Sequence, residues 1–297
     1  MTDLISVQDE KNILQPGTLY LVATPIGNLD DMTFRGVKTL RDADLVAAED
    51  TRRTAALLNH LGLKKPLVSY FQHNEKSKGE FLLKKLQEGT IVALVSDAGT
   101  PAISDPGEDL VRLCAEHGIP VVPVPGATAE ISSLMTSWLS TGRFSFEGFL
   151  CVNKKSRREH LLSIQHQPHT MIFYEAPHKL RRTLKDFYEL LGDRKIVLAR
   201  ELTKRYEEII RTTLSEAVML YREKEPKGEY VLVLEGAQEA PEMNDDLNNL
   251  TILEHINHYM MLGMDQKEAQ KAVAADRGVS KRDIYAELLK AKEEKTK

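Results

Sequence analysis

Over residues 18–124 the chain alternates, five times, a short run of apolar residues with a stretch of helical period. The runs are TLYLVA (18–23), DLVAAE (44–49), PLVSY (66–70), IVALVS (91–96) and PVVPV (120–124). Between them lie helical patterns around Phe34, Val37, Leu40 and Leu45, then Leu57, Leu58 and Leu61. Two more follow, around Phe81, Leu82, Leu83 and Leu86 and around Leu110, Val111 and Leu113. A run such as IVALV has no polar alternation, so a strand made from it is buried on both faces. Five such strands joined by crossover helices predict an α/β unit built on a mostly parallel sheet.

Beyond STGRFS (140–145) the rhythm becomes irregular. FEGFL, TMIFYEA, KIVLARE and YVLVLEG predict strands, and RREHLLSIQ, HKLRRTLKDFYELL and SEAVMLYR predict helices. We therefore expect a flexible N-terminus at 1–15, one α/β domain at 16–142 and a second at 143–237. AQEAPEMNDDLNN (237–249) is acidic, with Pro and Asn, so a linker is expected at 238–250, then a helical unit at 251–297.

Composition removes several classes. No stretch approaches the ~18 apolar residues of a membrane span. The first residues lack the basic start and apolar block of an export signal. Cys114 and Cys151 stand alone, which argues against a zinc knuckle or a disulfide framework. A cytoplasmic, folded protein without a metal is expected. The net charge is −4, yet residues 151–211 carry 14 Lys and Arg against 8 Asp and Glu. Such a surplus suits a specific polyanion partner, or simply solvates helix faces.

In an open parallel sheet, ligands bind beyond the carboxyl ends of the strands. Those ends are TPIGNLDD (24–31), EDTRR (49–53), FQHNE (71–75), SDAGTPAISDPG (96–107) and PGATAE (125–130), all rich in groups that hydrogen-bond or titrate. There is no G-x-G-x-x-G after the first strand and no G-x-x-x-x-G-K-[ST], so a nucleotide held by its phosphates is disfavoured. The fourth loop offers amides beside Asp97, with Gly99 and Gly107 permitting close approach. That suits a ligand with ribose hydroxyls, an amino group and little negative charge, as in S-adenosylmethionine; a buried structural turn is the competing reading. FYEAPH (173–178), ARELTK (199–204) and KGEYV (227–231) place Glu175, Glu201 and Glu229 at strand ends of the second unit.

Taken together, TPIGNLDDMTFR, AAEDTRRTAALL, SYFQHNE, VSDAGTPAISDPG, PVPGATA, FYEAPHKL and ARELTKRYEE resemble the tetrapyrrole-methylase-type S-adenosylmethionine methyltransferases. Within that class they are similar to the branch that 2′-O-methylates a cytidine in the decoding region of 16S rRNA. Corrin-ring members would carry Gly-Asp-Pro where this chain has Gly99, Thr100 and Pro101. The resemblance implies two α/β domains with the donor in the cleft between them, and a homodimer. It implies donor contacts at Asp97, Ala98, Gly99, Thr100, Pro101, Ile103 and Ser104, and at Gly126, Ala127, Thr128, Ser132 and Ser133. From the second domain it implies Tyr174, Glu175, Ala199, Arg200, Glu201, Leu202, Gly228, Glu229 and Tyr230. Thr24, Pro25, Gly27 and Asn28 would lie beside the acceptor or the donor.

A ribose hydroxyl is a poor nucleophile until its proton is accepted, so a base is expected. Glu49, Asp50, His73 and Glu175 are the candidates, and no spacing singles out one. Asp50 serves equally well as a cap for the helix starting near Thr51, and His73 as a turn or phosphate contact. Arg35, Arg52, Arg53, Asn74 and Lys204 are candidates for RNA contact. At the C-terminus, Gln270, Ala274, Gly278 and Ile284 fall in a helix-turn-helix spacing that exposes Lys281 and Arg282. RNA docking and a plain helical hairpin both remain open there, since residues 251–297 hold 9 Lys and Arg against 8 Asp and Glu. A tetrapyrrole-like small-molecule methylase and a non-catalytic RNA-binding protein are the competing functions.

Overall fold

The computed structural model describes residues 13–238, 250–261, 264–280, 282–285 and 288. Most of the 1–15 segment, most of the 238–250 tract, and Lys281 lie outside the described residues.

The five apolar runs form β1 (Leu19–Val22), β2 (Leu45–Ala48), β3 (Leu67–Ser69), β4 (Val92–Val95) and β5 (Val121–Val124). All pair in parallel, in the order β3-β2-β4-β1-β5. The connecting helices are α1 (Phe34–Asp42), α2 (Thr51–His60), α3 (Glu75–Gln87) and α4 (Glu108–Glu116). Leu45, grouped above with the first helical pattern, instead opens β2, because α1 stops at Asp42. One face of the sheet packs Val22, Val46 and Val95 against Leu40 and Leu58 of α1 and α2. The other packs Leu19, Val92 and Leu94 against Leu82, Leu86 and Leu110 of α3 and α4. Burial on both faces is the physical reason the strands carry no polar alternation.

β1 and β4 are neighbours, but β1 leads back to β2 while β4 leads the other way, to β5. A crevice opens where strand order reverses. The loops after β1 and β4 flank it, tied by paired hydrogen bonds between Thr24 and Gly99 at 2.8 and 3.0 Å.

A second sheet has the order β6-β7-β10-β8-β9. Its strands are β6 (Phe144–Phe149), β7 (Thr170–Glu175), β8 (Lys195–Arg200), β9 (Glu208–Thr213) and β10 (Tyr230–Leu234). Only β6 and β7 are parallel. One face is covered by α6 (Lys154–Ser163), α7 (Pro177–Leu191) and α8 (Leu214–Glu223). Leu180, Leu184, Phe187 and Leu191 form the buried stripe of α7. Each contributes ~1.5–3 kcal/mol on burial, against ~0.3–0.5 kcal/mol for an exposed i,i+4 ion pair. The stripe therefore fixes α7, and its surface charges are not needed to hold it. The opposite face packs on α5 (Ala129–Met135) through Leu134, Ile172, Val197 and Val231. A helix that follows the first sheet in sequence thus serves the second.

By contacts the chain forms two units, and His166–Pro168 group with the residues after Gly236 in the second. In the second unit, α9 (Ile252–Met261) and α10 (Gln266–Asp276) pack through Ile256, Ala269, Val273 and Ala274, and Ile284 joins their cluster from beyond α10. Gly278, at φ 62°, turns the chain after α10. Arg282 is exposed.

Candidate functional site

The crevice is a cavity of about 280 Å³ enclosed by both sheets. The β1 loop supplies Ile26, and the β4 loop supplies Ala98, Gly99, Thr100, Ile103 and Asp105. Sheet two supplies Phe149, Tyr174, Glu175, Ala199 and Tyr230, with Glu201, Leu202, Lys204 and Glu229 from its loops. Ala129 and Glu130 enter from α5.

Backbone strain concentrates here. Ala102 (φ 67°) and Ser104 (φ 60°) in the β4 loop, and Glu201 (φ 50°) and Thr203 (φ 64°) in the facing loop, adopt left-handed conformations that side chains disfavour. Gly228 is required by contact as well: a Cβ there would lie 2.4 Å from Glu201 Cγ. A Cβ on Gly27 would lie 2.4 Å from Lys204 Cγ, so the β1 loop meets the Leu202–Lys204 loop directly.

The wall is acidic. Five carboxylates, Asp105, Glu130, Glu175, Glu201 and Glu229, face one ammonium, Lys204. Lys204 Nζ donates to Glu229 at 2.7 Å and to Glu201 at 3.1 Å. Burial alone would push Lys204 down, but these hydrogen bonds outweigh it and its pKa rises. Tyr174 donates its hydroxyl to Glu130, and burial first, then that bond, raises the phenol. Glu175 is buried, with one oxygen accepting from the Ala176 amide at 2.9 Å and the other from the Thr183 hydroxyl. Asp105 differs. Burial, then the charge of Glu49, pushes its carboxyl up to about 6, against a hydrogen bond from Ser96 that lowers it.

Several expected site residues do other work. Asp50 caps α2, accepting from the Arg52 amide at 2.9 Å, and binds the Arg52 guanidinium at 2.7 Å. Those Arg52 hydrogen bonds hold its carboxyl well below the usual range. Asp97 is turned to the β2 end, accepting from the Asp50 amide at 3.0 Å and pairing with Arg53 at 3.3 Å. His73 is exposed beside Phe71, outside the cavity. Asn74 staples its own turn, through Phe71 N at 2.9 Å and Ser69 O at 3.2 Å. Asn28 caps a short 3-10 turn (Leu29–Asp31). Thr24 is 3% exposed, so its side chain meets no large ligand.

Glu49 stands behind Asp105, its own carboxyl raised by burial and then by Asp97. Gly126 packs on Ala23, where a Cβ would approach to 2.9 Å. The hydroxyls of Ser132 and Ser133 bond back to Thr128 and Ala129 carbonyls at 2.6 and 2.7 Å. Arg200 reaches Lys227 O at 2.5 Å rather than the cavity. Pro101, Ser104, Ala127 and Thr128 support the loops without lining it. Arg35 and Arg52 are exposed and Pro25 is half-buried, all outside the cavity wall.

Sequence reasoning did not single out Asp105, Glu130 and Phe149 as lining residues, whereas Ile26 belongs to the 24–28 loop expected beside the acceptor or the donor. Ile103 and Phe149, 46% and 56% exposed, form an apolar mouth. Among the described residues no group of three or more His, Cys, Asp or Glu side chains is set to hold a metal ion.

Residues 18–218 match the profile of the tetrapyrrole (corrin/porphyrin) methylases. The chain belongs to that family. It is 52% identical over 270 residues to the ribosomal RNA small subunit methyltransferase I of Halalkalibacterium halodurans, covering 91% of this chain and 93% of that protein. It is 46% identical to the protein of the same name from Thermotoga maritima, where 222 aligned residues cover 75% of this chain and all of that one. In fold it is similar to uroporphyrin-III C-methyltransferase from Thermus thermophilus, solved with S-adenosylhomocysteine. The TM-score there is 0.53 at 20% identity, over 73% of this chain and 97% of that one. As a tetrapyrrole-methylase-family protein, this chain is a methyltransferase on two α/β sheets.

Proposed function

We propose that this enzyme transfers the methyl group of S-adenosylmethionine to the ribose 2′-hydroxyl of a cytidine in the decoding region of 16S rRNA. The observation that carries the donor assignment is the cavity wall: five carboxylates against one ammonium, with apolar Ile26, Ile103, Leu202 and Val231 and no phosphate cradle. Such a wall favours a cationic ligand with an apolar ring and disfavours a polyphosphate. Support for the rRNA acceptor comes from relatives of that name at 46–52% identity.

The bound donor would supply an electrophilic methyl carbon. The chain's residues then orient the acceptor and handle one proton. Lys204 offsets one of the two charges of Glu201 and Glu229 and ties both carboxylates into the pocket wall. Glu130 and Tyr174 lock α5 to β7. With the other pocket carboxylates engaged, Asp105 accepts the hydroxyl proton as the oxygen takes the methyl group and the carbon–sulfur bond breaks. A carboxylate near pKa 6 is a better base at neutral pH than an ordinary one. Burial raises that carboxyl first, and the charge of Glu49 adds to the rise. The enzyme works as a cytoplasmic homodimer in this reading.

The test is labelled methyl transfer from S-adenosylmethionine to 30S particles, 16S rRNA and a tetrapyrrole, with ribose-methylation mapping in cells lacking the protein. Label on ribose in rRNA supports the proposal. Label on the tetrapyrrole alone, or on nothing despite donor binding, overturns it.

A further inference from the structure

α6 and α7 hold a groove of about 350 Å³ between them, on the face of sheet two opposite α5. Lys154, Arg157 and Arg158 line it from α6, and Arg182 and Lys185 from α7. The acids in its wall are Asp186 and Glu189. Methyl transfer as described above uses none of these residues.

Two observations distinguish the groove from an ordinary solvated helix face. The first is Arg157. It is 5% exposed, yet its Nε has no hydrogen-bond partner. Its Nη2 lies 2.6 Å from Asp186 Oδ2, which makes no directed hydrogen bond either. The two are matched as charges, and guanidinium donors remain unused. A guanidinium carries five N–H donors and keeps its charge at any physiological pH. Leaving such a donor buried and empty is costly, and an arriving acceptor removes the cost.

The second is the imbalance of charge. Asp186 is shared between Arg157 and Arg182, the latter at 4.0 Å, and Glu189 faces Lys185 at 3.6 Å. Exposed Lys154 and Arg158 have no carboxylate within 4.0 Å among the described residues. The packing of α7 explains none of this, since its apolar stripe holds it in place.

The groove also connects to the donor cavity through the chain. α6 begins five residues after Phe149, and α7 two residues after Glu175, and both residues line that cavity. Five residues span at most ~18 Å. Forked guanidiniums and mobile ammoniums in one groove match the oxygens of successive phosphodiesters.

We propose that the α6–α7 groove binds the phosphodiester backbone of the RNA that carries the acceptor nucleotide, with Arg157 as its buried anchor. The inference rests on the rRNA reading above, and the two are separable by experiment. Binding of the full chain to 16S rRNA is measured by filter titration between 50 and 200 mM salt, for wild type, the double variant Lys154→Glu/Arg158→Glu, and Arg157→Met. The double variant changes exposed positions only and does not depend on the fold tolerating a lost buried charge.

Each lost phosphate contact lowers the log–log salt slope by ~0.7–0.9. The double variant is expected to lose ~1.5 in slope and at least ~10-fold in affinity at the lower salt. Its thermal midpoint and its calorimetric Kd for S-adenosylmethionine should match wild type. Arg157→Met should lose affinity as well. A slope and affinity equal to wild type overturn the groove. So does a defect seen with 30S particles and absent with naked rRNA, which would assign the groove to an acidic ribosomal protein. Wild-type protein that binds neither naked rRNA nor 30S particles overturns both proposals. Wild-type binding without methyl transfer overturns the catalytic reading alone and leaves the variants to judge the groove.

Discussion

The ends of β2 and β4 are equally polar in sequence and opposite in use. At β2, Asp50, Arg52, Arg53 and the incoming Asp97 satisfy one another, and the result is a capped helix and a stapled loop. At β4, two non-glycine residues are held in left-handed conformations, and Asp105 is left in a cavity with its carboxyl raised to about 6. Charged residues at a strand end therefore do not by themselves mark a site. What marks it is backbone strain together with a buried carboxyl whose burial is not offset by an ion pair.

The largest test of that contrast is Asp105→Asn. It should lower methyl transfer by ~10²-fold or more, within the range for loss of a general base, while calorimetric donor affinity changes a few-fold. Equal turnover would return the base to Glu49 or Glu175. Gly228→Val comes next. Its side chain meets Glu201 and is strained at φ 78°, and overpacking of ~1–3 kcal/mol should weaken donor binding ~10-fold or more in a direct titration.

A smaller effect concerns pH. With Asp105 near 6, its charge is lost as pH falls through that value, so affinity for a cationic donor should drop a few-fold from pH 7.5 to 5.5. Asp105→Asn should flatten that profile. The sign for stability is the reverse. A carboxyl raised above its unfolded value of 3.8 binds more protons in the folded state, so its contribution declines as pH rises from about 4 to about 6. Smallest is Asp50→Ala, a lost cap, which should lower the melting temperature by roughly 2 °C and leave donor binding unaltered.

The first sheet was legible because burial on both faces writes an uninterrupted apolar run for each strand. β9 was not, because EIIRTT is an edge strand paired only with β8, and its two isoleucines sit among charges. The loops of the cavity were legible through their strand-end position. The roles within them were less so. Asp97 and Asp105 look alike in SDAGTPAISDPG, and only the fold shows that the first turns to Arg53 and the second to the cavity. Glu130 closes the strand-end string PGATAE, but its role was not legible there because its partner Tyr174 is 44 residues away. An Asp enclosed by Pro and Gly in a tight S-D-P-G turn was the clue available for Asp105.

α5 has one further consequence. It comes from the first half of the chain, yet it is sealed onto the second sheet by Leu134 and by the Glu130–Tyr174 bond. The two sheets are thus joined through α5 packing as well as through the connecting chain. Parting the sheets would break that contact, so the exposed Ile103 and Phe149 at the cavity wall are the natural place to look for a slow step in turnover.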